Sequence, residues 1–125
     1  DGLGFHRLVS SDPSGRAVVE YCVAEHHCHA VAQGGYVTAW IDSAMARAVG
    51  AATNGEYGAN TLEIKVAFYR PAIRGQLVTA ESWLDKLGRQ IAFAEGELRD
   101  ESGTVLAKGS STIKLGKFSR PDSGG

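Results

Sequence analysis

A stripe of apolar residues at helical spacing is the clearest pattern in the sequence. Between residues 35 and 53, apolar side chains recur every three or four positions, which places them on one face of a helix of about five turns. The members of the stripe are Val37, Trp40, Ile41, Ala44, Met45, Ala48, Val49 and Ala52. Asn54 and Gly55 follow, and both residue types accept the left-handed conformation that ends helices. The pattern therefore predicts one long helix over residues 35–53.

On both sides of this helix the pattern changes to a period of two, which is typical of β-strands. In residues 61–69, for example, apolar side chains alternate with Glu63 and Lys65. The other alternating segments are separated by turns and predict strands over residues 5–10, 16–24, 76–84, 90–99 and 105–115. The turn Asp12-Pro13-Ser14-Gly15 closes a hairpin between the first two strands. The four strands after the helix predict an antiparallel meander.

One helix and six strands predict an α+β fold. A broad sheet buries its apolar face only by curling around the single helix. The length of 125 residues is that of one domain, so we expect a single domain over residues 1–125, with about 119–125 as a flexible tail. Thr38, Ala39 and Ala46 form a flank of small residues on the helix, which favours close approach by a second chain. We therefore expect a dimer.

The composition argues against several classes of function. Hydrophobic residues make up 43% and charged residues 22%, which is ordinary for a globular protein. Lys and Arg number 13 against 14 Asp and Glu, so the net charge of −1 gives no sign of a nucleic-acid-binding face. No apolar run approaches the ~18 residues of a membrane span. We expect a cytoplasmic protein that binds neither nucleic acid nor a membrane.

The start of the predicted helix is the first candidate for chemistry. Gln33, Gly34 and Gly35 lead into it, and the first N–H groups of a helix have no partner within the helix and carry partial positive charge. Glycine lets a carbonyl or phosphate oxygen approach this backbone closely. The alternative interpretation is that the two glycines only form the turn.

Asp42 is the second candidate, because it lies at the edge of the apolar stripe among small residues. Its carboxylate is either a solvated surface charge or a charge that faces an interface. Eight residues separate it from Gly34, which is ~12 Å along a helix, too far for both to reach one carbonyl carbon. Two antiparallel helices across a twofold axis bring Gly34 of one chain beside Asp42 of the other. If the two residues act together, the site is shared between subunits.

The segment Glu25-His26-His27-Cys28-His29 suggests a metal site at first sight. His27 and His29 share one side of an extended segment, but no second His or Cys pair supplies further ligands at ordered spacing. We therefore expect no metal ion. Cys22 and Cys28 are too few for a disulfide scaffold, and we interpret them as small apolar residues.

Ser43 and two arginines do not indicate a further catalytic site. Ser43 lacks the Gly-x-Ser-x-Gly turn of serine hydrolases. Arg70 and Arg89 lie at strand ends or turns, where an arginine is either solvated or in contact with a phosphate.

Three segments together resemble the hotdog-fold acyl-CoA thioesterases, in the branch typified by the phenylacetate-pathway thioesterase. Residues 31–45 carry a glycine pair, six intervening residues, an acidic residue and then small residues. Residues 61–72 form a strand that ends in an aromatic residue followed by a proline. Gly88-Arg89 precedes a strand, and residues 105–109 lie in the last hairpin. The resemblance extends over about residues 5–115.

The resemblance implies a hotdog fold, in which a curled antiparallel sheet wraps around one long central helix. It also implies that Asp42 is the catalytic carboxylate, as nucleophile or as general base on water. The N–H of Gly34, alone or with Gly35, polarises the thioester carbonyl from the partner subunit, and Thr61 helps to hold the attacking water. CoA then enters as part of the substrate, with no separate cofactor. The implied assembly is a homodimer that pairs into a homotetramer.

Two positions depart from the family pattern. Gln33 stands where the family usually has His, and His27 stands where it often has Asn. An amide still donates a hydrogen bond, and His27 is a candidate for orienting water or contacting the thioester. Two alternative functions follow. One is a non-catalytic hotdog module that binds acyl-CoA. The other is a dehydratase or hydratase, which uses a catalytic histidine near the helix, and only residues 26–29 supply one there.

Overall fold

A 19-residue helix, α1 (Gly34–Ala52), lies against one face of a six-stranded antiparallel sheet. The computed structural model describes residues 2–28 and 32–118. Residue 29 and the predicted flexible tail at 119–125 lie outside the described residues. In the described part, no helix is both long and apolar enough to cross a membrane.

Four of the six strands are longer than the period-two pattern predicts, whereas the second is two residues shorter and the fifth is one residue shorter. Two precede the helix, namely β1 (Phe5–Asp12) and β2 (Arg16–Cys22), with a short 3₁₀ turn at Glu25–His27. Four follow it, namely β3 (Tyr57–Phe68), β4 (Leu77–Leu87), β5 (Ile91–Arg99) and β6 (Val105–Lys117). The helix begins one residue before the predicted start, because Gly34 already has helical geometry.

The predicted four-stranded meander is wrong for β3. The strand order is β1-β2-β4-β5-β6-β3, so β4, β5 and β6 form a meander while β3 pairs with β6 at the far edge. The physical reason lies in residues 69–76, which form a crossover rather than a tight turn. The N–H groups of Tyr69 and Arg70 both donate to the Leu106 carbonyl, at 2.8 and 3.0 Å. Ala72 accepts from the Ala32 N–H at 2.8 Å, which ties the crossover to the segment before α1.

The apolar stripe of α1 faces the concave side of the sheet, as predicted. All its members are buried except Ala52, which is partly exposed near the end of the helix. Two glycines of the sheet allow the close approach, since a Cβ at Gly96 or at Gly109 would lie 3.1 or 3.2 Å from Cγ2 of Ile41. The sheet curls around the helix without closing, which leaves β1 and β3 as its two edges. The predicted α+β arrangement is confirmed.

Candidate active site

The N-terminus of α1 presents two free backbone donors. Gln33 is the N-cap residue, with φ −68° and ψ 147°, and its carbonyl accepts the N–H groups of Tyr36 and Val37. Within the described residues, the N–H groups of Gly34 and Gly35 have no acceptor and no side chain caps the helix. The first turn also lacks an acidic residue. The positive end of the helix is therefore free to bind an oxygen atom of a ligand.

A cavity of about 380 Å³ lies beside these donors. Its walls come from the start of α1 and from the end of β3 with the crossover, including Val37, Phe68, Pro71 and Ala72. Arg70 is its one charged lining residue, and no carboxylate within the described residues forms an ion pair with it. The cavity therefore combines apolar walls, hydrogen-bond donors and one guanidinium.

Asp42 and Thr61 form the second half of the candidate site. The Thr61 hydroxyl donates to Oδ1 of Asp42 at 2.7 Å, which joins the flank of α1 to the edge strand β3. The carboxylate is half-buried, and no cation pairs with it in the part of the chain that the structure describes. A hydrogen bond to an ionised carboxylate is about twice as strong as a neutral one. Thr61 therefore fixes the orientation of Asp42.

A β-bulge at Leu62 makes this hydrogen bond possible. Thr61 is opposite Ile113, a fully buried residue on the helix side of β6, whereas Glu63 is opposite Thr112 on the outer face. Strict alternation would place Thr61 on the same face as Glu63, away from the helix. The extra residue in β3 reverses this relation, as bulges next to functional sites often do.

The two halves of the site lie on one helix but apart from each other. Gly34 is at the start of α1 and Asp42 is eight residues further, which is ~12 Å along the axis. The observed helix agrees with the prediction that Gly34 and Asp42 of one chain cannot both reach the same carbonyl carbon. Sharing of the site between subunits stays a prediction.

His27 is fully buried next to the start of α1, where its carbonyl accepts the Gln33 N–H at 2.8 Å and its ring centroid lies 4.6 Å from that of Tyr36. The Ala24 N–H donates to its Nδ1 at 2.9 Å, so Nε2 carries the proton and donates to the Gly2 carbonyl at 2.8 Å. Its ring packs edge-on against Trp40, with the centroids 5.2 Å apart. Both ring nitrogens are occupied within the chain, so this arrangement offers neither of them to a water molecule or a thioester.

The described part of the histidine segment does not assemble ligands for a metal. His26 directs Nε2 at the same Gly2 carbonyl, at 3.0 Å. Across residues 2–28 and 32–118, no three His, Cys, Asp or Glu side chains are grouped to hold an ion. His29, the other member of that hypothesis, lies outside the described residues.

The two predicted phosphate contacts are at opposite ends of the helix. Arg70 lines the cavity at its start, whereas Arg89 lines a cavity of about 580 Å³ near its end, together with Thr53, Tyr57 and Lys117. A helix of 19 residues is ~28 Å long. Within one chain, the two arginines therefore do not contact the same phosphate.

The comparison with known families decides which protein class carries this site. The family model described as Thioesterase superfamily matches residues 29–107, which is more than half of the chain. The chain belongs to the thioesterase superfamily. The matched region contains the helix start, Asp42 and Thr61. No curated protein sequence gives a significant match.

Solved structures place this member of the superfamily in the hotdog fold, as predicted. The PaaI protein from the phenylacetic acid degradation operon of E. coli is 22% identical with a TM-score of 0.82, over 94% of this chain and 82% of that one. The TT0310 protein from Thermus thermophilus is 30% identical with a TM-score of 0.79, over 90% and 92%. The smu.793 protein from Streptococcus mutans, solved bound to acetyl CoA, is 18% identical with a TM-score of 0.79, over 93% and 91%.

Proposed function

We propose that this thioesterase-superfamily protein is an acyl-CoA thioesterase, which hydrolyses a thioester to a carboxylic acid and free CoA. The observation that carries the proposal is the 2.7 Å hydrogen bond from Thr61 to Asp42, which orients a carboxylate in a superfamily of thioesterases. The uncapped helix start supplies the second requirement, a group that stabilises negative charge. The acetyl CoA bound to the smu.793 protein supports an acyl-CoA ligand.

The proposed reaction begins with the thioester carbonyl oxygen on the N–H of Gly34, alone or with Gly35. Because the Thr61 hydroxyl donates its hydrogen bond to Asp42, its oxygen accepts one from the attacking water, and the free oxygen of Asp42 faces the other water proton. Asp42 then removes that proton while the water oxygen bonds to the carbonyl carbon, or Asp42 attacks the carbon itself and forms a mixed anhydride that water then hydrolyses to the acid. The carbon–sulfur bond breaks, and the CoA thiolate leaves and takes up a proton. Backbone donors stabilise the negative charge that develops on the oxygen, and the loss of one typically costs ~10²–10³ in rate.

The site is complete only when a second chain is present. Among the described residues, β3 is an edge strand with a strand partner on one side, and Leu62 beside the Asp42–Thr61 pair is 58% exposed. A long, apolar, unpaired edge favours pairing with another strand. Antiparallel pairing of β3 with its own copy places the helix start of one subunit toward the Asp42 of the other. The further pairing of dimers into a homotetramer stays a prediction.

The same pairing accounts for both arginines. In an antiparallel β3–β3 contact, the Tyr57 end of one strand lies beside the Phe68 end of the other, so Arg89 of one subunit approaches the cavity that holds Arg70 of its partner. Arginine binds phosphate through two parallel hydrogen bonds. Both side chains are therefore candidates for contacts with the CoA phosphates. Gln33, the exposed N-cap residue, supplies an amide at the same end of the helix.

The experiment is to measure release of free thiol from short, long and aromatic acyl-CoAs by the wild type and by Asp42→Asn. We expect the variant to lose at least ~10² in kcat, since a positioned acid or base contributes ~10²–10⁴. Asp85→Asn, on the exposed part of β4, is the matched control and should retain full activity. Activity of Asp42→Asn close to that of the wild type would refute the role of Asp42. Binding of acyl-CoA without release of thiol would favour the non-catalytic binding module.

A further inference from the structure

Phe68 is a large apolar residue that lies beside the free donors of α1. It is the last residue of β3, and its side chain is 55% exposed although it lines the cavity at the helix start. A Cβ built on Gly34 would lie 3.1 Å from Cζ of Phe68 and 3.5 Å from Cε1. The edge of the ring is therefore directed at the residue whose N–H is proposed to bind the thioester oxygen.

The backbone on both sides of Phe68 holds the ring in this place. Phe68 pairs with Ala107 at the end of the β3–β6 ladder, and the next two N–H groups donate to the Leu106 carbonyl. The Ala32 N–H donates to the Ala72 carbonyl at 2.8 Å, which links the crossover to the chain just before the helix. The distance between the ring and Gly34 is thus set by two tethered segments.

The acyl group and the ring must share the same space. The thioester oxygen that binds the Gly34 N–H lies ~2.9 Å from that nitrogen. The carbonyl carbon and its first substituent are then one and two bonds further, within the cavity that Phe68 and Gly34 both line. Even a single Cβ built on Gly34 would lie only 3.1 Å from the ring, so the space between ring and helix start is narrow and limits the bulk that this substituent can have.

We propose that Phe68 is a specificity-determining residue, whose ring excludes acyl groups branched at the carbon next to the thioester carbonyl. The inference rests on the proposed function, because it uses the Gly34 N–H as the site of the carbonyl oxygen. It assigns Phe68 to substrate selection and not to the chemical step. One methyl group in an apolar pocket changes kcat/KM by about 10–200-fold.

The test compares butyryl-CoA with isobutyryl-CoA, an isomer in which the terminal methyl group of the straight chain is moved to the carbon next to the carbonyl. We expect Phe68→Ala to raise the isobutyryl-to-butyryl ratio of kcat/KM about tenfold and Phe68→Leu to raise it less. Phe93→Ala is the matched control, because Phe93 is a partly exposed phenylalanine of β5 that does not line this cavity. Its ratio should equal that of the wild type. Melting temperatures identify any variant that fails to fold, and Phe68→Leu replaces Phe68→Ala in that case.

A second measurement separates failure of this inference from failure of the proposed function. The probes are the ketone analogues of both substrates, in which a CH₂ group between carbonyl and sulfur prevents hydrolysis. Calorimetry should show that Phe68→Ala raises the affinity for the isobutyryl analogue relative to the butyryl analogue, as compared with the wild type. This result does not depend on whether the wild type hydrolyses acyl-CoAs. A ratio within about twofold of the wild type, or an equal rise in Phe93→Ala, overturns the inference. Absence of binding by both analogues overturns the inference together with the proposed function.

Discussion

At the scale of single residues, Asp42 has one oriented oxygen and one free oxygen. Thr61 occupies Oδ1, and the described residues offer no other side-chain hydrogen bond to the carboxylate. The hydroxyl of Thr61 donates its hydrogen bond to Asp42, so its oxygen lone pairs are left to accept one from water. The pair thus defines which oxygen is oriented and which is available for a proton.

This arrangement predicts a specific effect of changes at Thr61. Thr61→Val preserves the shape but removes the donor, and hydrogen bonds to charged groups contribute about 1.5–3 kcal/mol, so kcat should fall by about 10–100-fold. Thr61→Ser retains the hydroxyl and should recover most of that loss. The measurement is kcat for both variants on the best acyl-CoA substrate. Equal activity of Thr61→Val and the wild type would show that Thr61 does not support Asp42.

At the scale of elements, two turns of the sheet share one design. Asp12 and Asp100 each begin an Asp-x-Ser-Gly turn, in which Gly15 and Gly103 have positive φ values of 95° and 87°. Oδ1 of Asp100 accepts the Ser102 hydroxyl at 2.7 Å and the N–H groups of Ser102 and Thr104, both at 3.0 Å. A short polar side chain that binds its own turn in this way stabilises it locally.

The turn at Asp100 predicts a dependence of stability on pH. The hydrogen bond from the Ser102 hydroxyl, followed by backbone N–H donors, holds the pKa of Asp100 below its ordinary value of 3.8. A lowered pKa in the folded state stabilises the fold above the ordinary value, and this contribution is lost as the pH falls through the lowered value. Wild type should therefore be more stable than Asp100→Asn at pH 7 but not in acid well below pH 3.8.

Chemical denaturation of both proteins over this pH range measures the difference in free energy of unfolding. Ser102→Ala removes the donor that lowers the pKa of Asp100 most. In proteins that carry Ser102→Ala, replacing Asp100 by Asn should therefore change the free energy of unfolding less than it does in the wild type. If the free energies of unfolding of wild type and Asp100→Asn differ by the same amount from neutral to acidic pH, the Asp100 carboxylate does not stabilise the fold through a lowered pKa.

At the scale of the whole molecule, two features favour a site shared by two chains. They are the open edge at β3 and the separation of the two halves of the site. One chain holds a complete Asp42–Thr61 pair and a complete set of helix donors, but eight residues of helix keep them apart. In the proposed twofold dimer, each half of the site meets the other half on the partner subunit. Activity should therefore depend on assembly, and it should disappear on dilution to monomers.

Subunit complementation tests this dependence. Gly34 is the first helical residue, where proline is tolerated, so Gly34→Pro deletes the N–H while allowing the helix. Mixing inactive Asp42→Ala with inactive Gly34→Pro should restore about a quarter of the wild-type sites, since half of the dimers are mixed and each has one intact site. Gly34→Ala is the matched control, because it adds a Cβ but keeps the N–H. Failure of the mixture to regain activity, with subunit exchange demonstrated, would refute the shared site.

The sequence by itself determined the features that depend on near neighbours. The helix and its buried face follow from apolar residues every three or four positions, and the Asp-x-Ser-Gly turns follow from local hydrogen bonds and one glycine each. The sequence also indicated Gly34, Asp42 and Thr61 through a family resemblance, and the hydrogen bond between Asp42 and Thr61 joins residues 19 positions apart.

Only the tertiary structure decided how distant segments meet. The crossover at residues 69–76 moves β3 from the side of β4 to the far edge, because its backbone groups pair with residues of β6 and of the segment before α1. The bulge at Leu62 turns Thr61 toward the helix, against the alternation of the sequence. His27 packs against Trp40, and hydrogen bonds with the Ala24 N–H and the Gly2 carbonyl occupy both its ring nitrogens. Each of these outcomes depends on strand pairing and burial between residues far apart in the chain, and periodicity carries no information about such contacts.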